Sequence, residues 1–116
     1  MRYTGSCHCG RIAFEVEGEI GQVISCNCSM CQRRGGLLWF VPREKLKLLT
    51  PEENASTYTF NKHVIQHRFC PTCGIQPYGE GVPPKGNGPL AAINVHCLDG
   101  VEPSTLSVKP FDGRSV

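Results

Sequence analysis

Apolar residues recur along this chain in short alternating stretches, each broken by glycine, proline or a polar turn. Ile12, Phe14 and Val16 alternate with Ala13 and Glu15, the two-residue period of a strand that buries one face. Residues 23–25 predict a second strand that runs into a turn carrying three cysteines. Residues 37–41 follow Gly35-Gly36 and stop at Pro42. β-branched and aromatic content predicts further strands at 46–49, 57–60, 64–69, 75–78, 90–95 and 107–108. Residues 83–89, PPKGNGP, predict an exposed loop. Only 43–45 and the turn at 29–33 have the character of short helix, and no helical period persists for three turns. Many short strands joined by Gly/Pro turns predict an all-β sandwich or barrel-like fold. The chain shows no internal repeat, linker or charge run, so residues 1–116 are expected to form a single domain.

Composition narrows this further. Hydrophobic residues make up 40% and charged residues 19%, a globular balance rather than a disordered one. At 116 residues the core is small enough that a metal often supplements packing. A net charge of +2 is too mild to announce a nucleic-acid or membrane partner. The longest apolar run, 37–41, is far too short to span a bilayer. The opening MRYTGSCHCG lacks the apolar stretch of a signal peptide. The expected location is therefore cytoplasmic.

The eight cysteines carry the chemistry. In a reducing compartment disulfides do not persist, and clustered cysteines point to metal or redox centres. Seven of the eight fall in three tight groups: Cys7 and Cys9, then Cys26, Cys28 and Cys31, then Cys70 and Cys73. Close pairs let one turn present two thiolates to a single ion, and zinc favours a tetrahedron of such soft ligands. Cys70-Pro71-Thr72-Cys73-Gly74 is the strongest knuckle signal: Pro71 presets the turn, and Gly74 suits the conformation after the second ligand. An iron–sulfur or rubredoxin-type iron site is the alternative, and the spacings fit zinc at least as well. A disulfide framework and a thioredoxin-like C-x-x-C both lack their usual context.

The full set, C-x-C near the start, C-x-C-x-x-C some twenty residues on, and Phe69-Cys70-Pro-Thr-Cys73-Gly74 later, closely resembles the glutathione-dependent formaldehyde-activating enzymes, a family that includes centromere protein V-type proteins. The opening G-S-C-H-C-G at 5–10 and the closing I-N-V-x-C-L-D-G at 93–100 also look like that family. The resemblance covers nearly the whole chain. It implies a β-tent zinc-binding fold, with two antiparallel sheets of short strands leaning together over zinc knuckles. It further implies a structural zinc on Cys7, Cys9, Cys70 and Cys73, and a second, catalytic zinc on Cys26, Cys28 and Cys31, two ions in all. The implied activity is that of a carbon–sulfur lyase, joining the thiol glutathione to the aldehyde formaldehyde as S-hydroxymethylglutathione.

The residues accommodate this division. Four thiolates from two distant segments close one site, whereas three from one turn leave a position open for a thiol, which the metal would ionise. Arg33 and Arg34 follow the third ligand and are candidates to pair with substrate carboxylates, or else are solvated charge at a turn. Gly35-Gly36 offers N–H groups to an anion or simply lets a strand begin. On a strand, Trp39 and Phe40 face opposite ways, one into the core and the other free to wall a pocket. His67 and His96 are candidate proton shuttles or satisfied structural histidines. His8 is expected to be exposed, and His63 sits at a turn with no assigned role. Cys97, outside the clusters, is expected near the Cys26, Cys28 and Cys31 group, as its fourth ligand or lining its open side. With Cys97 as fourth ligand that site closes, and a non-catalytic zinc-stabilised structural or binding module becomes the competing function. A zinc–thiolate redox or metal sensor is a third.

Overall fold

The computed structural model describes residues 1–60, 65–82 and 88–112. Among the described residues the regular structure is ten short strands, one six-residue α-helix and four 3-10 turns, the strands and α-helix being β1 (Arg2–Ser6), β2 (Ala13–Glu17), β3 (Gln22–Cys26), α1 (Ser29–Arg34), β4 (Leu38–Pro42), β5 (Leu46–Leu48), β6 (Ser56–Tyr58), β7 (Gln66–Phe69), β8 (Tyr78–Gly81), β9 (Leu90–Asn94) and β10 (Ser107–Phe111). The fold is nearly all-β, as the pattern of short strands predicts. A three-stranded sheet runs in the order β1-β2-β5, and a seven-stranded sheet in the order β10-β3-β4-β9-β8-β7-β6. Every pairing is antiparallel except β10 with β3. No described helix is long and apolar enough to cross a membrane.

The alternating stretch does what its period requires. Ile12, Phe14 and Val16 are buried, while Ala13 and Glu15 are half-buried. They pack with Val23, Trp39, Val41, Leu46, Tyr78, Ile93 and Val95 in one core between the sheets. The Tyr3 ring meets Trp39 edge-on at 5.6 Å, and Phe14 tilts against Tyr78 at 6.4 Å; such pairs add to simple area burial. Cys7 and Cys70 belong to the same core cluster, so one cysteine group is built into the packing itself. Trp39 is the core member of its pair, and Phe40 is 48% exposed on the other face.

Three departures from the sequence expectation have local causes. β1 has no apolar alternation to announce it; it forms by pairing along β2, with Gly5 so close to the chain that a Cβ there would sit 2.6 Å from the Cys97 carbonyl oxygen. The strand expected at 75–78 begins only at Tyr78. The residues before it are drawn into the knuckle by the Cys70 N–H bond to the Ile75 carbonyl (2.9 Å), and Pro77 has no N–H for a ladder. The strand expected at 90–95 ends at Asn94, whose side chain accepts from the His96 N–H (3.1 Å) and starts a 3-10 turn at Val95–Cys97. Beyond the core, Glu80 on β8 accepts from Arg43 Nε (2.7 Å) and Arg68 Nη2 (2.6 Å), tying the end of β4 to β7. His63, Val64 and most of the 83–89 loop lie outside the described residues.

Candidate metal centres

The first cysteine group is made by two turns of similar build. Cys7 and Cys9 occupy the turn between β1 and β2, and Cys70 and Cys73 the turn after β7. In the first, the Cys7 N–H donates to the Ile12 carbonyl (3.0 Å) and the Ile12 N–H returns to Cys7 Sγ (3.4 Å). In the second, the Cys73 N–H donates to Cys70 Sγ (3.4 Å), and Gly74, at φ 80°, takes the left-handed conformation that closes the turn. The four sulfurs all lie within 4.8 Å of one another. A tetrahedron with Zn–S bonds of about 2.3 Å has S···S edges of about 3.8 Å. The Cys7–Cys9 and Cys9–Cys70 sulfurs are 3.8 and 3.5 Å apart, so the donor set fits one tetrahedral zinc.

As free thiols Cys73 and Cys9 are unequal. The Ile75 N–H, outweighing burial and helped by Cys9, Cys70 and Cys7, holds Cys73 down at about 6. At Cys9 the Arg11 N–H favours the thiolate, but hydrogen bonding with Cys70, burial, and contacts with Cys7 and Cys73 push it up to about 11. A cation at the centre would ionise all four.

The second group has a different construction. Cys26 ends β3, Cys28 caps the N-terminus of α1, and Cys31 lies buried within that helix. Cys28 Sγ accepts from the Cys31 N–H (3.3 Å), and Cys26 Sγ from the Cys28 N–H (3.4 Å). Gly35, at φ 76°, stops α1 with its N–H on the Cys31 carbonyl (2.8 Å). Its role is therefore a helix cap, rather than the anion nest or strand start considered for the Gly35-Gly36 pair. The three sulfurs again lie within 4.8 Å of one another. Burial pushes Cys31 up to about 12, against the opposing pull of the Arg34 charge. Burial also acts on Cys28, but the Cys31 N–H and the neighbouring cysteines overcome it and leave that thiol below its ordinary value.

The two arginines part company here. Arg33 is exposed, with Nη1 donating to the Ser29 carbonyl (2.8 Å). Arg34 is half-buried, and its Nη2 donates to Cys31 Sγ (3.1 Å). Its charge also reaches His67: burial, and after it Arg34, lower that imidazole to about 4. His67 is thus neutral at pH 7, stacked on Phe60 at 5.5 Å, which suits a structural histidine rather than a proton shuttle. His96 and His8 are exposed.

Cys97 requires a correction. It does not join the Cys26, Cys28 and Cys31 group. It packs instead against the core cluster that contains Cys7 and Cys70, with its carbonyl against Gly5; burial, and after it the charges of Cys7 and Cys73, raise its thiol to about 11. The cause is the 3-10 turn at Val95–Cys97: the strand does not continue, so the alternation of faces expected for His96 and Cys97 does not apply. Among the described residues no fourth Cys, His, Asp or Glu joins the three-cysteine group.

Next to α1 an open cleft of about 460 Å³ is lined by Met30, Arg33 and Arg34 on one side and by Gly74, Gln76 and Asn94 on the other. Two buried donors of its lining residues, Arg34 Nε and Gln76 Nε2, have no hydrogen-bond partner. Asn94 fixes this wall by donating from Nδ2 to the Gln76 carbonyl (3.1 Å). Sequence reasoning passed over Gln76 and Asn94. Nothing local marks Gln76; Asn94 lies in the I-N-V-x-C-L-D-G stretch, which was the available signal.

The family model described as glutathione-dependent formaldehyde-activating enzyme matches residues 2–111. The chain belongs to that family. A crystal structure of a Rhodobacter sphaeroides protein is similar over 91% of this chain and 99% of its own, at 30% identity and a TM-score of 0.78. Within the glutathione-dependent formaldehyde-activating enzyme family, the cysteine groups described above are the features of this chain compatible with zinc.

Proposed function

We propose that this chain is a single-domain, two-zinc carbon–sulfur lyase whose adduct is S-hydroxymethylglutathione or a close relative. Cys7, Cys9, Cys70 and Cys73 would hold a structural ion, and Cys26, Cys28 and Cys31 a second one. At the second site zinc would supply the positive charge that keeps a substrate thiol ionised near pH 7. The observation that carries the reading is the cleft against α1, the helix that holds Cys31. The residues that line it offer guanidinium and amide donors and no carboxylate. That chemistry suits the carboxylates and peptide carbonyls of glutathione.

The protein's own residues have three tasks in this reading. Cys26 at the end of β3, Cys28 at the cap of α1 and Cys31 within it would supply three donors and leave a fourth position to the substrate thiol. Arg33 at the rim and the orphaned Gln76 Nε2 bind acceptor groups of the thiol's backbone and orient its sulfur. The Gly74–Gln76 wall limits the space available to the aldehyde. The reaction balances without a redox partner: a carbon–sulfur bond forms, the carbonyl π bond opens onto oxygen, and the thiol proton ends on that oxygen. What supports an open site over a closed structural module is the position of Cys97, away from the three sulfurs.

The test is the exchange rate between free formaldehyde and the glutathione adduct at equilibrium, followed by carbon-13 exchange NMR. Zinc-loaded protein is expected to accelerate the exchange, and Cys28→Ser to abolish that acceleration. An exchange rate equal to the buffer blank removes the lyase reading and leaves the structural module.

A further inference from the structure

We infer that Arg34 is a positioning residue for the three-cysteine metal site, holding Cys31 Sγ through a charged hydrogen bond, rather than a clamp for substrate carboxylate. The inference rests on the proposal that this group holds zinc. Three observations carry it. The Arg34 Nη2–Cys31 Sγ distance is 3.1 Å, short for a donor on sulfur. Cys31 is the buried sulfur of its group, with Cys26 and Cys28 more open, so it has the least access to water as an alternative donor. Arg34 is half-buried rather than free in solvent, and its Nε lies beside Gly36, where an added Cβ would come within 3.4 Å of it.

Charge explains why such a contact matters. A divalent ion on three thiolates leaves the site with one net negative charge, in a position where Cys31 is buried. Arg34 is permanently cationic and offsets that charge at the sulfur least able to be solvated. Backbone N–H groups reach sulfurs in both groups; what marks the three-cysteine group is the guanidinium on its buried sulfur, whereas Cys9 in the four-cysteine group is exposed. A hydrogen bond also draws electron density from the thiolate, so Cys31 is a weaker donor to the ion and a weaker nucleophile toward aldehyde than it would otherwise be. That keeps the reaction on the substrate sulfur and away from the ligand.

The test uses cobalt(II) as the probe in the full chain, comparing wild type with Arg34→Met and Arg34→Lys. The four-cysteine site in the same molecule serves as internal reference for folding. Outer partners of metal ligands typically change affinity by about 10- to 100-fold. Arg34→Met is expected to weaken the second cobalt by that factor while leaving the first unchanged, with Arg34→Lys recovering part of the loss. The sulfur-to-cobalt band of the second ion should also move to longer wavelength in Arg34→Met, because the thiolate regains electron density. A purely structural role for Arg34 would lower occupancy without moving that band. An Arg34→Met affinity and band both indistinguishable from wild type overturn this inference alone. Wild-type protein that takes up a single cobalt overturns the zinc proposal beneath it as well.

Discussion

Replacing Cys70 and replacing Cys28 should have very different consequences, although each removes one thiol. Cys70 is fully buried in the core cluster, and its sulfur meets Cys9 across a separation of 61 residues. Closing a loop of that length costs about 3.6 kcal/mol of chain entropy on the logarithmic scale, against about 1.4 kcal/mol for a loop of about five residues. A structural zinc supplies about 10–16 kcal/mol in small domains, comparable with the whole stability of a domain this size. Cys70→Ser is therefore expected to leave the chain unfolded at 25 °C. Cys28→Ser removes a ligand from a group confined to residues 26–31, and serine is itself a favoured helix N-cap, so α1 keeps its start. The short loop closed at this site leaves its expected loss of stability far smaller than that of Cys70→Ser, so a cooperative transition remains. Thermal unfolding by circular dichroism, with zinc content measured on the same samples, decides the matter. The expected pattern is no cooperative transition for Cys70→Ser, and for Cys28→Ser a folded protein that keeps one zinc. Equal collapse of both variants would refute the division into a closing site and an open one.

Other expectations follow from single groups. His67 has a folded-state value of about 4, below its unfolded value of about 6.5; its contribution to stability is complete above pH 6.5 and is lost as the pH falls toward 4, by up to about 3 kcal/mol. The comparison of wild type with His67→Phe isolates it: the substituted protein should lose less stability between pH 6.5 and 4.5, and identical pH profiles would contradict the assignment. Glu80→Gln leaves Arg43 and Arg68 without their shared carboxylate and should cost about 2 kcal/mol in urea unfolding; a loss below about 0.5 kcal/mol would show the pair to be solvent-screened. Gln76→Leu should weaken calorimetric binding of glutathione to the zinc-loaded protein while sparing a small uncharged thiol, and equal effects on both would remove Gln76 from substrate recognition.

Much of this architecture is legible in the sequence because it rests on local pattern. The Phe14 and Val16 alternation, the Leu37–Leu38 start of a central strand and the cysteine spacings each encode their outcome within a few residues. Cysteines two or three positions apart are presented by a single turn, which is why the sulfurs of each pair come together where the spacing suggests. What was not legible depends on distant partners. β1 is defined by what it pairs with, and its own residues show only one buried position. Cys97 was misplaced because a side chain, Asn94, redirects the backbone just before it. The separate roles of Arg33 and Arg34, adjacent and chemically identical, are set by helix phase: one faces solvent and the other returns to Cys31. No adjacency rule distinguishes them.

The central claim is that the chain holds two ions in unlike sites, one closed and one open. Anomalous diffraction at the zinc edge from crystals of the zinc-loaded protein tests it most directly. The account predicts two peaks: one bound by the sulfurs of Cys7, Cys9, Cys70 and Cys73, the other by Cys26, Cys28 and Cys31 with a non-protein fourth ligand. A single peak, or a second ion closed by the sulfur of Cys97 at about 2.3 Å, would contradict it.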